Sequence, residues 1–252
     1  MVIKGNKVSL FIFLVSFLSI NPELFGKIES KRILAFHFDR IEARGALSIF
    51  IQPGKRNRQI EYFADSSIID SVSAFVRNRT LFLDANNSFS VSKRIPLLRL
   101  SAQRTFPIEV FVSVNELEEL TLLENCNASL NKISGKSLKL FMSSTGTLQV
   151  NNLKVETIDV RHEGSGDIVL NSREVRRLNA EVLGSGSLRG EELFLNEARI
   201  RHYGRGKVIV APQDWLDAQI LGQGDLHLLE SPLGKVIKNS GQGGKLFEEY
   251  LD

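Results

Sequence analysis

From Leu117 to Leu228 the apolar residues recur with two periods at once: every second residue within short runs, and at the same place again one long repeat later. The second glycine of each G-x-G triplet makes a convenient origin. It falls at Gly146 (in "STG"), Gly166, Gly186, Gly206 and Gly224, with gaps of 20, 20, 20 and 18; Gly243 follows 19 later and Cys126 precedes Gly146 by 20. Two places after the origin stand Ala128, Leu148, Ile168, Leu188, Val208 and Leu226, and four places after stand Leu130, Val150, Leu170, Gly190, Val210 and Leu228. Four places before come Leu122, Met142, His162, Val182, His202 and Ile220; six before come Leu120, Leu140, Val160, Ala180, Ile200 and Ala218.

Offsets that differ by two share one face of a β-strand, so each turn holds two short strands with a glycine corner between them. A repeat of this length is the signature of a solenoid. The pattern predicts an all-β, parallel β-helix in which the even offsets face inward and the odd offsets face solvent. The odd offsets carry charges that stack on neighbours roughly 4.8 Å away. Arg161, Glu181 and Arg201 follow one another in one column, Lys139 precedes Asp159 in another, and Arg199 precedes Asp217. Opposite charges meet down these columns, which makes them structural ladders by default.

The G-x-G triplets admit two ligand readings, and both fail. A dinucleotide loop needs a third glycine that leads into a helix; Val169 and Arg189 stand there, and a strand follows. A calcium β-roll has a much shorter repeat, and the positions matching Asp167 and Asp225 in other turns are Thr147, Ser187 and Lys207, which build no acidic cage. The expected role of Gly146, Gly164, Gly166, Gly184, Gly186, Gly204, Gly206, Gly222, Gly224, Gly241 and Gly243 is therefore structural: corners where the backbone takes φ > 0 or stacked chains approach closely.

Three stretches, "GSGDIVLNSREVRRLNAEVLGSGSLRG", "ESPLGKVIKNSGQGGKL" and "FDRIEARGALSIFIQPG" followed by "VFVSVNELEELTL", resemble the bacterial family "putative auto-transporter adhesin, head GIN domain", whose function is undefined. The resemblance runs over roughly residues 34–250. It implies an exported, right-handed β-helix, and the family assigns no catalytic residues to carry over. This chain departs from the pattern at "ENC", which replaces the first glycine corner, and at His162 and His202 in apolar strand positions.

Residues 31–114 are less regular. Strand-like runs "LSIFI", "QIEYFA", "TLFLDA" and "PIEVFVSV" alternate with polar stretches, which predicts further coils with longer excursions. The expected organisation is a leader at 1–26 and one β-helix domain at 31–252, most regular from 117 to 230, with the tail "KLFEEYLD" available to cap an end. The leader assignment rests on Lys4 and Lys7 before a thirteen-residue apolar run, Val8 to Ile20. That length suits a signal-peptide core and falls short of the roughly 20 residues of a membrane span; the cleavage site is poorly marked.

Composition fits this picture: 42% hydrophobic, 24% charged, 19 Gly and 16 Phe over 252 residues. The sequence pI is about 9.0, yet the net charge is only +3 and Arg173, Arg176 and Arg177 are interleaved with Glu174 and Glu181, which argues against nucleic acid. Cys126 is the only cysteine, so no intrachain disulfide forms, and its distance from the leader argues against a lipid anchor.

Candidates for chemistry are few. His162 and His202 are two ladder spacings apart, roughly 9.6 Å, too far for one zinc ion. His37 and His227 lack ligand partners at metal spacing. Ser165 beside His162 and Asp167 has the composition of a triad, but the repeat accounts for all three. The sequence therefore predicts no catalytic, cofactor-binding or metal-ligating residue. It leaves two classes: an exported binding or structural module of the periplasm, outer membrane or cell surface, with an envelope component, glycan or protein as partner, or a polysaccharide lyase or hydrolase. Turns as short as these leave little chain for the excursions on which such enzymes carry paired acids.

Overall fold

A computed structural model describes residues 27–86, 108–240 and 242–250; the leader expected at 1–26 and the corner expected at Gly241 lie outside them. Strands take 62% of the chain in stacked parallel coils about 20 residues apart, about six turns in all. The regular part begins at β8 (Glu119–Glu124) and β9 (Asn127–Asn131) and continues through β10 (Ser137–Ser144), β11 (Leu148–Asn151), β12 (Lys154–His162), β13 (Ile168–Ser172), β14 (Glu174–Val182), β15 (Leu188–Leu193), β16 (Leu195–His202), β17 (Val208–Val210), β18 (Pro212–Ile220), β19 (Leu226–Leu228), β20 (Gly234–Asn239) and β21 (Leu246–Glu248). Odd-numbered strands of this run stack in sheet I and even-numbered strands in sheet II. Every pairing within it is parallel.

The alternation in the sequence decides which side of each strand is buried. Leu122, Met142, His162, Val182, His202 and Ile220 form one fully buried stack under sheet II, and Leu148, Ile168, Leu188, Val208 and Leu226 form another under sheet I. Their registers run one above the next. The repeat is not uniform. The register slips between Val169 and Asn171, where β15 carries an extra residue, and shifts again between Leu195 and Glu197 against β18; the second shift accompanies the shorter spacing before Gly224.

The N-terminal part departs from chain order. The coil of β2 (Arg40–Arg44) and β3 (Ser48–Gln52) lies between the coil of β8 and β9 and an outer coil of β6 (Thr80–Asp84) and β7 (Glu109–Ser113). After β1 the chain therefore makes the second coil, moves outward, then passes back over it. Beyond the outer coil the parallel pattern stops: β4 (Gln59–Asp65) pairs antiparallel with β7, β1 (Ile28–Leu34) antiparallel with β4, and β5 (Ser73–Arg77) antiparallel with β6. Asn78 and Arg79, both at positive φ, make the tight turn between β5 and β6, as two-residue hairpins require. The tail expected to cap an end instead continues sheet I, with Leu246 paired to Leu226.

Candidate functional site: the outer face of sheet II

Among the described residues, sheet II presents three outward columns. One runs Lys139, Asp159, Asn179, Arg199, Asp217; a second runs Phe141, Arg161, Glu181, Arg201; a third runs Thr157, Arg177, Glu197, Trp215, Gly234. Cross-coil bonds hold these side chains in place: Arg161 to Glu181 at 2.5 Å, Arg177 to Glu197 at 2.9 Å, Asn179 to Asp159 at 2.8 Å. The expected ladders are only partly those that form. Arg199 meets Asp217 at 3.4 Å, but Arg201 turns sideways to the same Asp217 at 3.1 Å and not to Glu181, while Asp159 takes Asn179 as its donor. Hydrogen bonds from Arg201, with the nearby Arg199 charge, hold the Asp217 carboxyl below its usual range.

Two depressions lie side by side on this face. The larger, about 430 Å³, has cationic Lys139, Arg161, Arg199 and Arg201 set among anionic Glu119, Asp159 and Glu181, with Phe141 in its floor. The smaller, about 330 Å³, has Trp215 in its wall and shares Asn179 and Arg199 with the first.

The glycine corners form a column at one end of the strands. A Cβ on Gly166 would fall on the carbonyl oxygen of Gly146, one on Gly186 on that of Gly166, one on Gly206 on that of Gly186, and one on Gly224 on that of Gly206. A Cβ on Gly146 would meet the Cys126 carbonyl, one on Gly164 that of Ser144, one on Gly184 that of Gly164, one on Gly204 that of Gly184, and one on Gly222 that of Tyr203. Close approach, not positive φ, is the constraint at these positions; among the described glycines only Gly45 and Gly243 have positive φ. The last corner divides between two glycines: Gly243 has positive φ, while Gly244 makes the close approach. Nothing lies within 4 Å of a Cβ at Gly243, whereas one at Gly244 would meet the Gly224 carbonyl, because the G-x-G spelling of "GQGG" is one residue out of step with the ladder that pairs Leu246 with Leu226.

After three of the corners, Cys126, Gly166 and Gly224, the polar residue has a local task that spacing alone did not reveal. Asn127 accepts the Thr147 N–H at 2.9 Å, Asp167 accepts that of Ser187 at 2.8 Å, and Asp225 accepts that of Lys245 at 2.9 Å. Asp167 thus bonds coil to coil. His162 and His202 lie fully buried beneath the glycine column; a Cβ at Gly186 would meet the His162 ring, one at Gly224 the His202 ring, and His202 Nε2 lies 2.8 Å from the Gly206 carbonyl. Burial pushes both imidazoles below their ordinary pKa, against the smaller opposing pull of the Gly166 and Gly206 carbonyls. His227 stacks on Phe247 with ring centroids 4.7 Å apart and bonds Glu249 at 3.0 Å, while His37 lies 3.6 Å from Asp39. Cys126 is buried with Sγ 3.1 Å from the Gly45 carbonyl, and burial pushes its thiol up to about 12. The corner that lacks its glycine is therefore closed by a protonated thiol. Among the described residues no group of three or more His, Cys, Asp and Glu is placed to hold a metal, and no helix is long and apolar enough to cross a membrane.

Solved structures share this architecture. A putative adhesin from Bacteroides fragilis superposes with a TM-score of 0.75 at 17% identity, over 87% of this chain and 96% of that one. A putative lipid binding protein from Parabacteroides distasonis gives 0.67 at 18% identity, over 89% and 98%, and a putative adhesin from the same species gives 0.61 at 16% identity, over 89% and 98%. At these identities the likeness is one of fold. No curated protein matches the chain. The order of corners, columns and coils does have a family behind it: over residues 37–232 the sequence matches, and the chain belongs to, the family described as "Putative auto-transporter adhesin, head GIN domain".

Proposed function

We propose that the protein is an exported, non-catalytic binding module of the cell envelope or surface: a leader at 1–26, then one β-helix domain at 31–252 that holds its partner on the outer face of sheet II. The observation that carries this reading is the bonding of that face. Arg161 with Glu181, Arg177 with Glu197, and Arg199 and Arg201 with Asp217 are committed to one another across the coils, which makes a fixed recognition surface and ties up these acids and bases against a role in turnover. Family membership and neighbours described as adhesins agree with a surface role. Destinations consistent with it are the periplasm, the outer membrane and the medium; the partner is an envelope component, a glycan or a protein.

The test is fractionation of the producing cell together with a pull-down of envelope material by the purified chain. The reading expects a shortened chain outside the cytoplasm that binds envelope material and releases no product from it. Full-length protein confined to the cytosol, or hydrolysis of a polysaccharide abolished by a single acidic substitution on this face, would overturn it.

A further inference from the structure

Resting on that reading, we infer that the outer face of sheet II is a glycan-binding cleft for a neutral polysaccharide chain, with Trp215 as its stacking platform. Three observations converge on it.

The first is the tryptophan. Trp215 is the only tryptophan of the chain and is 46% exposed on a strand whose inward positions supply the core. It is held all the same. Gly234 follows it in the column, and a Cβ there would strike the six-membered ring of the indole, so the ring rests against bare backbone and keeps its other side to solvent. An aromatic plane fixed in this way presents apolar area at little entropic cost, and the weakly polar face of a sugar ring matches it.

The second is the polar surround. Arg177, Asn179, Glu197, Arg199 and Asp217 line the same depression as the indole. Together they offer planar donors and acceptors already oriented by cross-coil bonds, the small set of placed polar groups that fixes a ligand over an apolar floor. Across the adjoining depression the two signs of charge alternate and nearly cancel. A polyanion or polycation would meet as much repulsion as attraction; a polyhydroxyl chain meets donors and acceptors in turn.

The third is the repeat. The two depressions share Asn179 and Arg199, so the cleft continues from Trp215 toward Phe141 across successive coils. Its columns repeat every roughly 4.8 Å, close to the advance of one pyranose unit in an extended glycan, so successive sugars meet the side chains of successive coils.

The lone tryptophan makes its own reporter. Purified full-length protein is titrated with the di-, tetra- and hexasaccharides of β-1,4-glucan, β-1,4-mannan, β-1,4-xylan and α-1,4-glucan, and with polygalacturonate, followed by tryptophan emission and by calorimetry. At least one neutral hexasaccharide is expected to shift the emission, to bind more tightly than its disaccharide, and to lose about tenfold or more in affinity in Asn179→Ala and Arg199→Ala, as the loss of a charged or bidentate hydrogen bond implies. Gly234→Val, which displaces the indole without removing it, is expected to weaken binding as Trp215→Ala does by calorimetry, with circular dichroism as the folding control. Absence of binding by every neutral hexasaccharide overturns the inference. So does binding confined to polygalacturonate and abolished by salt, or neutral binding unchanged in Trp215→Ala. If all saccharides fail while the protein still captures envelope material, the cleft assignment falls and the surface role stands; if a bound oligosaccharide is cleaved, it is the non-catalytic reading that falls.

Discussion

At single residues, the decisive quantity is how closely successive coils approach at the corner. The Gly186 N–H bonds the Gly164 carbonyl, and a Cβ on Gly186 would meet both the Gly166 carbonyl and the buried His162 ring; the backbone cannot withdraw without breaking the ladder. Gly186→Val is therefore expected to cost about 3 kcal/mol or more, while Ser187→Val, one residue on and facing outward, costs far less; equal urea midpoints for the two variants would contradict the corner role. The buried histidines set a pH dependence. Their folded-state pKa lies below the ordinary value of 6.5, so as pH falls through 6.5 the unfolded chain takes up protons that the folded one refuses. Stability is complete above that value and declines as pH drops toward the folded pKa. Denaturant midpoints at pH 7.5, 6.5 and 5.5 should decrease in that order, and His162→Leu should flatten the trend; a midpoint that rises toward pH 5.5 would contradict it.

At the level of strands, the backbone ladder and core stacks supply the stability, and the outer charges do little more than choose their neighbours. Arg161 is bonded to both Glu163 and Glu181, and all three side chains are about one-third to one-half exposed. A double-mutant cycle on Arg161 and Glu181 should give a coupling far smaller than the cost of Gly186→Val, shrinking at molar salt as the charges are screened. A coupling of several kcal/mol, insensitive to salt, would mean that the ladder is a structural determinant in its own right. The same weak coupling explains why the column rule did not name every partner: Arg201 stands beside Glu181 in its own column yet bonds Asp217 of the next.

For the whole molecule, the two ends are built differently. The first coils are closed off by antiparallel strands β1, β4 and β5, whereas among the described residues the parallel coils themselves end at β20 and β21, each paired on one side only. A solenoid is stabilised by nearest-neighbour contacts, so opening should begin where a coil has one neighbour. Native-state hydrogen exchange is expected to show the slowest amides in β12, β14 and β16 and the fastest ladder amides in β20 and β21. Uniform protection from β8 to β21 would show that the stack opens as a single unit.

The repeating part of the fold was legible because its determinants are side chains at fixed intervals. A strand exposes alternate residues, a coil returns to the same place one repeat later, and a corner with no room for a Cβ must be glycine, so columns such as Leu122–Met142–His162–Val182 can be read directly from the residues. Coil order could not be read that way. Backbone hydrogen bonds are nearly indifferent to side chains, and nothing in "RIEAR" or "TLFLD" says that β2 lies between β6 and β8; only the competition of all strand edges for partners decides it. The same holds for the close approach at Gly244, which ladder register sets and motif spelling does not. The cleft depended on tertiary structure for a related reason: Trp215 and Gly234 belong to successive coils, and only the shifted pairing of β18 with β16 and its register with β20 lay the indole on bare backbone.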